Sequence, residues 1–150
     1  SGVISAVEEV KADVDKAIAG IVQSVVRNTV GVGGDVAAAV FETVRSTVTG
    51  LTGTSVEISR SIETAVSTAM KSAADSGADV ASVAVGAVNG ALKAVETVGG
   101  SMTRTLTTAV NMALDTAAGL GVDTASKVRE ALIRSVHGAK EVIERRESQA

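Results

Sequence analysis

The chain has 150 residues, a formal net charge of -3, no cysteine and no proline. Interspersed charges argue against the basic footprint of a nucleic-acid binder, and the missing thiols exclude a disulfide frame, a thiolate metal site and a cysteine nucleophile. The longest uncharged run, Val80 to Leu92, falls short of the roughly 20 residues needed to cross a bilayer, so no transmembrane segment is expected. Apolar residues make up 45% of the chain but include one aromatic, Phe41, so the interior must be built from Ala, Val, Ile, Leu and Met. With 15 glycines and no proline, glycine is the only strong punctuation.

That punctuation is periodic. The phrase Gly33-Gly34-Asp35 returns every 44 residues as Gly77-Ala78-Asp79 and Gly121-Val122-Asp123. A second phrase lies midway, opening at Asp13, Glu57 and Ser101, so each unit consists of two 22-residue halves. Internal repetition of this length identifies a stack of helical units.

In chain order, the first predicted helix covers about 3–31 and carries Val3, Val7, Val10, Val14, Ile18, Ile21 and Val25 at helical spacing. The second, 35–52, opens at Asp35, and the third, 56–75, opens near Glu57. The fourth, 79–97, presents Val80, Ala84, Ala87, Val88, Ala91, Leu92 and Val95 on one face. The fifth, 101–118, presents Met102, Leu106, Ala109, Val110, Ala113, Leu114 and Ala117. The sixth, 123–147, is the most charged, with Lys127, Arg129, Glu130, Arg134, Lys140, Glu141, Glu144, Arg145 and Arg146. Between helices, glycine takes the left-handed position that ends one helix, and Asp or Ser accepts from the free N–H groups that open the next.

Connections this short reverse the chain. The expected fold is therefore all-α, a single helical-repeat domain spanning 1–150. Three tandem hairpins of 44 residues, units 13–56, 57–100 and 101–144, give six antiparallel helices in a short α-solenoid or multi-helix bundle, with 1–12 as an N-terminal extension. Charged outer helices would act as solvated caps on nearly uncharged middle ones. A rival reading, one continuous helix with an 11-residue period in a right-handed supercoil, fails on glycine: each would cost a straight helix about 1 kcal/mol against alanine.

Few residues offer chemistry. Asp35, Asp79 and Asp123 fall at one end of the stack and could collect a hard cation, but an N-cap is the simpler role for each. Lys16, Arg60 and Arg104 recur near the start of the odd helices, where positive charge opposes the helix dipole; they could attract an anionic partner or stand as surface residues. His137 is the lone histidine, on the charged last helix, with no nucleophile or carboxylate assigned to it. Nucleophile elbows are absent, and Gly31-Val32-Gly33-Gly34 lacks the Lys-Ser/Thr of a phosphate loop. Phe41, Met70, Met102 and Met112 read as gap-filling core, although such residues also make adaptable binding surfaces.

The Gly-x-Asp phrases on Ala/Val/Gly-rich helices resemble an uncharacterised family of bacterial helical-repeat proteins, a domain of unknown function, over most of residues 11–144. That resemblance implies no active site. A looser, compositional likeness connects the Ala/Val/Thr-rich helices to phasins, the small helical proteins that coat bacterial storage granules. The unit length is similar to HEAT-like solenoids, but the proline expected there is missing.

The expected function is a non-enzymatic helical scaffold for protein–protein or self association. No catalytic, cofactor-binding or metal residues are assigned, no cofactor is implied, and a homodimer is favoured because the fourth and fifth helices carry little charge. The alternative is a phasin-like amphipathic coat on a lipid or polymer surface. A cytoplasmic location is expected. The chain opens with Ser1-Gly2 rather than methionine, which suggests a trimmed chain from which a targeting segment could have been lost.

Overall fold

A computed structural model describes the backbone of residues 2–150 and the side chains of residues 13–150. The described residues form seven α-helices and no strand: α1 Gly2–Gly31, α2 Val36–Thr49, α3 Ser55–Ser76, α4 Val80–Val98, α5 Met102–Leu120, α6 Val122–Ser135 and α7 Ala139–Ser148. The all-α class follows from the periodicity of the sequence. The count does not: seven helices replace the six expected.

The additional helix comes from a break in the expected 123–147 segment. Val136 is extended, with φ at -119°, and Gly138 is left-handed, with φ at +86°. The turn frees the carbonyl of Ser135, which accepts from Asn89 Nδ2 on α4 at 3.3 Å. Beyond it α7 swings onto α5, with Ala139 and Ile143 fully buried. Arg129 on α6 donates Nε to Glu147 Oε2 and an Nη to Glu147 Oε1, both at 2.8 Å, and Arg146 pairs with Asp115 on α5. Gly138 was not recognised as a helix break because no Asp or Ser follows to cap α7, which starts without a side-chain cap.

Two layers organise the packing. Helices α1, α3, α5 and α7 lie side by side in one, α2, α4 and α6 in the other, and the core is the seam between them. The widest contact is α2 on α4, and glycine is its cause. A Cβ on Gly86 would sit 2.5 Å from the carbonyl oxygen of Ala37, and one on Gly90 would sit 2.6 Å from that of Phe41. The two helices therefore touch backbone to backbone. Glycine in this chain is more than punctuation: at these two positions it sets an interhelical distance.

In the other layer the approach is made by Ala, Ser and Thr. Ser61, Ala65, Ala69 and Ser72 of α3 are buried, and so are the residues 44 positions later on α5, Thr105, Ala109, Ala113 and Thr116. Ser61 Oγ donates to Asp15 Oδ1 of α1 at 3.2 Å, and Thr105 Oγ1 to the carbonyl of Ser101 at 2.9 Å, so these two hydroxyls are satisfied.

Several expectations about faces need correction. On α1 the buried stripe is Ile18, Val22 and Val26, while Val14 is 39% and Ile21 49% exposed. Val3, Val7 and Val10 lie outside the described side chains. On α5, Met102 is 40% exposed, and Leu106 and Leu114 are half-buried. Of the four candidate gap-fillers only Met70 is fully buried, with Phe41 and Met112 half-buried. The two ends are also unequal: α7 covers α5, whereas among the described residues the outer side of α1 from Asp13 onward is uncovered and not strongly charged.

Candidate functional site

The recurrent aspartates diverge in role. Asp35 Oδ1 accepts from the N–H of Ala38 at 3.1 Å and caps α2. Asp79 Oδ1 accepts from the N–H groups of Ala81 and Ser82 at 3.1 and 3.4 Å, and its Oδ2 takes the hydroxyl of Ser82 at 2.7 Å. The Ser82 hydroxyl, helped by the two N–H groups and by Lys127, holds the Asp79 carboxyl below its usual range against a smaller opposing effect of burial. Asp123 breaks the series. Helix α6 starts one residue earlier, at Val122, and Gly121, with φ at +129° and ψ at 163°, occupies the cap position without a side-chain bond. Asp123 thus sits in the first turn, where its charge suits the dipole. Among the described residues, no three His, Asp or Glu side chains converge to hold an ion.

At the opposite end, Ser101 caps α5 as its position implies, accepting from Arg104 N at 3.2 Å. Glu57 does not cap α3; Thr54 does, and its hydroxyl accepts from the N–H of Glu57 at 3.2 Å. Asp13 is neither: it lies inside the long α1, exposed. Of the recurrent cations, Lys16, Arg60 and Arg104 are all exposed. Arg104 donates to the hydroxyl of Ser55, tying the start of α5 to that of α3. Arg60 edges a cleft of about 360 Å³ with Val14, Asp15, Leu51, Val56 and Glu57. The carboxylates of Asp15 and Glu57 beside it offset the positive character expected of this rim.

His137 is exposed in the break between α6 and α7. It lines a shallow cleft of about 550 Å³ with Phe41, Leu92, Met102, Leu106 and Lys93. This groove gathers the sole aromatic residue and the partly exposed Leu92, Met102 and Leu106 from three helices and a turn. Sequence reasoning assigned Phe41 and Met102 to the core, and it missed the groove because one of its walls is the turn at His137 and Gly138 that ends α6. The arrangement can hold an apolar side chain with a polar rim. Among the described residues, no nucleophile is hydrogen-bonded to His137.

Exposed valines mark the stack's ends. The turn before α2 lies beside the turn before α4, around a cleft shared by Gly33, Asp35, Ala78 and Asp79. Lys127 of α6 acts on Asp79 at the same end. Val32 and Val122, 84% and 87% exposed, project from the α1–α2 turn and the start of α6 there. Among the described residues, no helix is long and apolar enough to cross a membrane. The chain matches no protein-family profile, and neither a curated protein nor a solved structure shows significant similarity to it.

Proposed function

We propose that the protein is a non-enzymatic scaffold, a short α-solenoid of three helical hairpins that presents surface to another protein or to itself. The observation that carries this reading is the equivalence of residues 44 positions apart: Ser61, Ala65, Ala69 and Ser72 share their burial with Thr105, Ala109, Ala113 and Thr116. Repetition of one stacking interface builds length rather than a central pocket, and extended surface is what such stacks use. The groove around Phe41 and His137 is the natural seat for a partner's apolar side chain. The resemblance to bacterial helical-repeat proteins and a cytoplasmic setting belong to the same reading.

The test is cross-linked capture from the native cell, comparing the wild-type chain with Phe41→Ser/Leu92→Ser. A defined protein retained by the first and lost by the second is the expected result. Turnover of a small substrate by the purified chain, abolished by one point substitution, would overturn the scaffold.

A second reading, a phasin-like coat on a lipid or polymer surface, draws on Val32 and Val122 exposed at one end. Flotation with vesicles or hydrophobic granules decides it. Protein that stays in the aqueous fraction at every lipid composition removes this alternative, and flotation lost in Val32→Ser/Val122→Ser supports it.

A further inference from the structure

The outer side of α1 has the form of a helix-pairing seam. Its exposed positions among the described side chains are Asp13, Val14, Lys16, Ala17, Gly20, Ile21, Ser24, Arg27, Asn28 and Gly31. Apart from Lys16, these fall on three positions of a heptad: a at Val14, Ile21 and Asn28; d at Ala17, Ser24 and Gly31; g at Asp13, Gly20 and Arg27. The sequence keeps this spacing upstream, at Val3, Val7 and Val10. A two-residue seam of period 3.5 is narrower than the buried face of a globular helix, and it is the pattern by which helices pair along their length.

Three observations point to what covers it. First, the same row is a packing face elsewhere in the chain. The residues 44 positions after Ala17, Ile21 and Asn28 are Ser61, Ala65 and Ser72, all buried, with Ser61 bonded to α1. Second, Gly20 lies inside α1, where glycine costs a helix about 1 kcal/mol against alanine. A Cβ there would meet nothing within 4 Å, so no neighbour within the chain accounts for it. Gly86 and Gly90 show what a helical glycine does here: it admits another backbone. Third, the flanking charges are self-complementary. Asp13 and Arg27 have opposite sign, and Gly20 stands midway between them.

The geometry points to a second copy of this chain as the occupant, with the two α1 helices antiparallel about a two-fold axis near Gly20. In an antiparallel pair, a residues meet d residues and g residues meet g residues. With Val14 opposite Ser24 of the second copy and Ala17 opposite Ile21, the g positions pair Asp13 with Arg27 twice and bring the two Gly20 backbones together. One register satisfies the apolar seam, the charges and the glycine. A parallel pair would set Asp13 and Arg27 against e-position residues Ile18 and Val32 and use neither charge. Head-to-tail stacking is blocked because α7 covers the far end of the odd layer. The two-fold contact is the closed kind that yields a dimer and stops.

This inference rests on the scaffold reading and names its partner, and it is tested on the purified 150-residue chain. Sedimentation at roughly 100 μM, where a micromolar dimer is saturated, is expected to show a dimer. Ile21→Glu, at an exposed position, is expected to give a monomer with unchanged helix content and melting temperature. Asp13→Arg and Arg27→Asp are each expected to raise the dissociation constant about tenfold, and the double variant to restore it. A monomeric wild-type chain, a dimer indifferent to Ile21→Glu, or single reversals without effect would overturn the proposal. A monomer that still captures a different protein from the cell would sink the dimer and leave the scaffold; turnover of a small substrate by an intact dimer, abolished by one point substitution, would sink the scaffold and leave the dimer.

Discussion

The two layers solve one problem differently. Both are built mostly from small side chains, so much of their stability must come from bringing backbones close enough for small residues to fill the gap. In the layer of even helices, α4 removes side chains altogether at Gly86 and Gly90 and receives the carbonyls of Ala37 and Phe41. In the layer of odd helices, Ser61, Ser72, Thr105 and Thr116 keep a hydroxyl-sized spacer beside alanines. The glycine contact is tight and intolerant, because its obstacle to any side chain is backbone. The Ser/Thr contact is looser and can accept exchange among small residues. A small-residue interface is thus a choice of distance, and distance sets tolerance to mutation.

The sharpest way to break the contrast is Gly86→Val/Gly90→Val. Each new Cβ would meet a carbonyl oxygen at about 2.5 Å, which no rotamer can relieve. Two overpacked sites should cost roughly 5 kcal/mol, near the lower end of a domain's whole stability, and circular dichroism should show a largely unfolded chain at 25 °C. Met70→Ala in the other layer removes a fully buried side chain and should cost about 3 kcal/mol, read as a lower urea midpoint with unchanged slope. If Met70→Ala proved the more damaging, the glycine contact would not be the tighter of the two.

Smaller effects test the helix ends. Asp79→Ala should cost about 1 kcal/mol through loss of its cap bonds. The sign with pH follows from the lowered pKa: the folded state binds the Asp79 proton less readily than the unfolded one. Its contribution is present above the ordinary carboxylate range and fades as pH falls through and below it. The difference between wild type and Asp79→Ala in thermal melts should therefore shrink in acid. Gly119→Ala, inside α5 with open space around it, should raise stability by about 0.5–1 kcal/mol in the same melts. The opposite sign at Gly119 and at Gly86 would separate glycines that punctuate from glycines that pack.

Some of the architecture was legible in the chain itself. The caps at Asp35, Asp79 and Ser101 follow from phrase and spacing, because a cap is a local bond over two or three residues. Asp123 misled because one residue of earlier helix start at Val122 moves it from cap to first turn. The break at Gly138 was missed for a related reason: its cause is the docking of Ile143 and Arg146 onto α5, a distant part of the chain. The groove beside Phe41 shares that cause, since the turn at His137 and Gly138 forms one of its walls.

The sequence by itself determined that this is a helical protein with local stops and starts, because hydrophobic spacing and capping act within a few residues. Only the tertiary structure decided which side of each helix is covered. On α1 the periodic apolar residues offered two overlapping stripes, and the stripe of Ile18, Val22 and Val26 was taken by the core while Val14 and Ile21 were left outside. Helical spacing states that a face exists; the neighbour that fills it is a property of chain segments far apart in sequence.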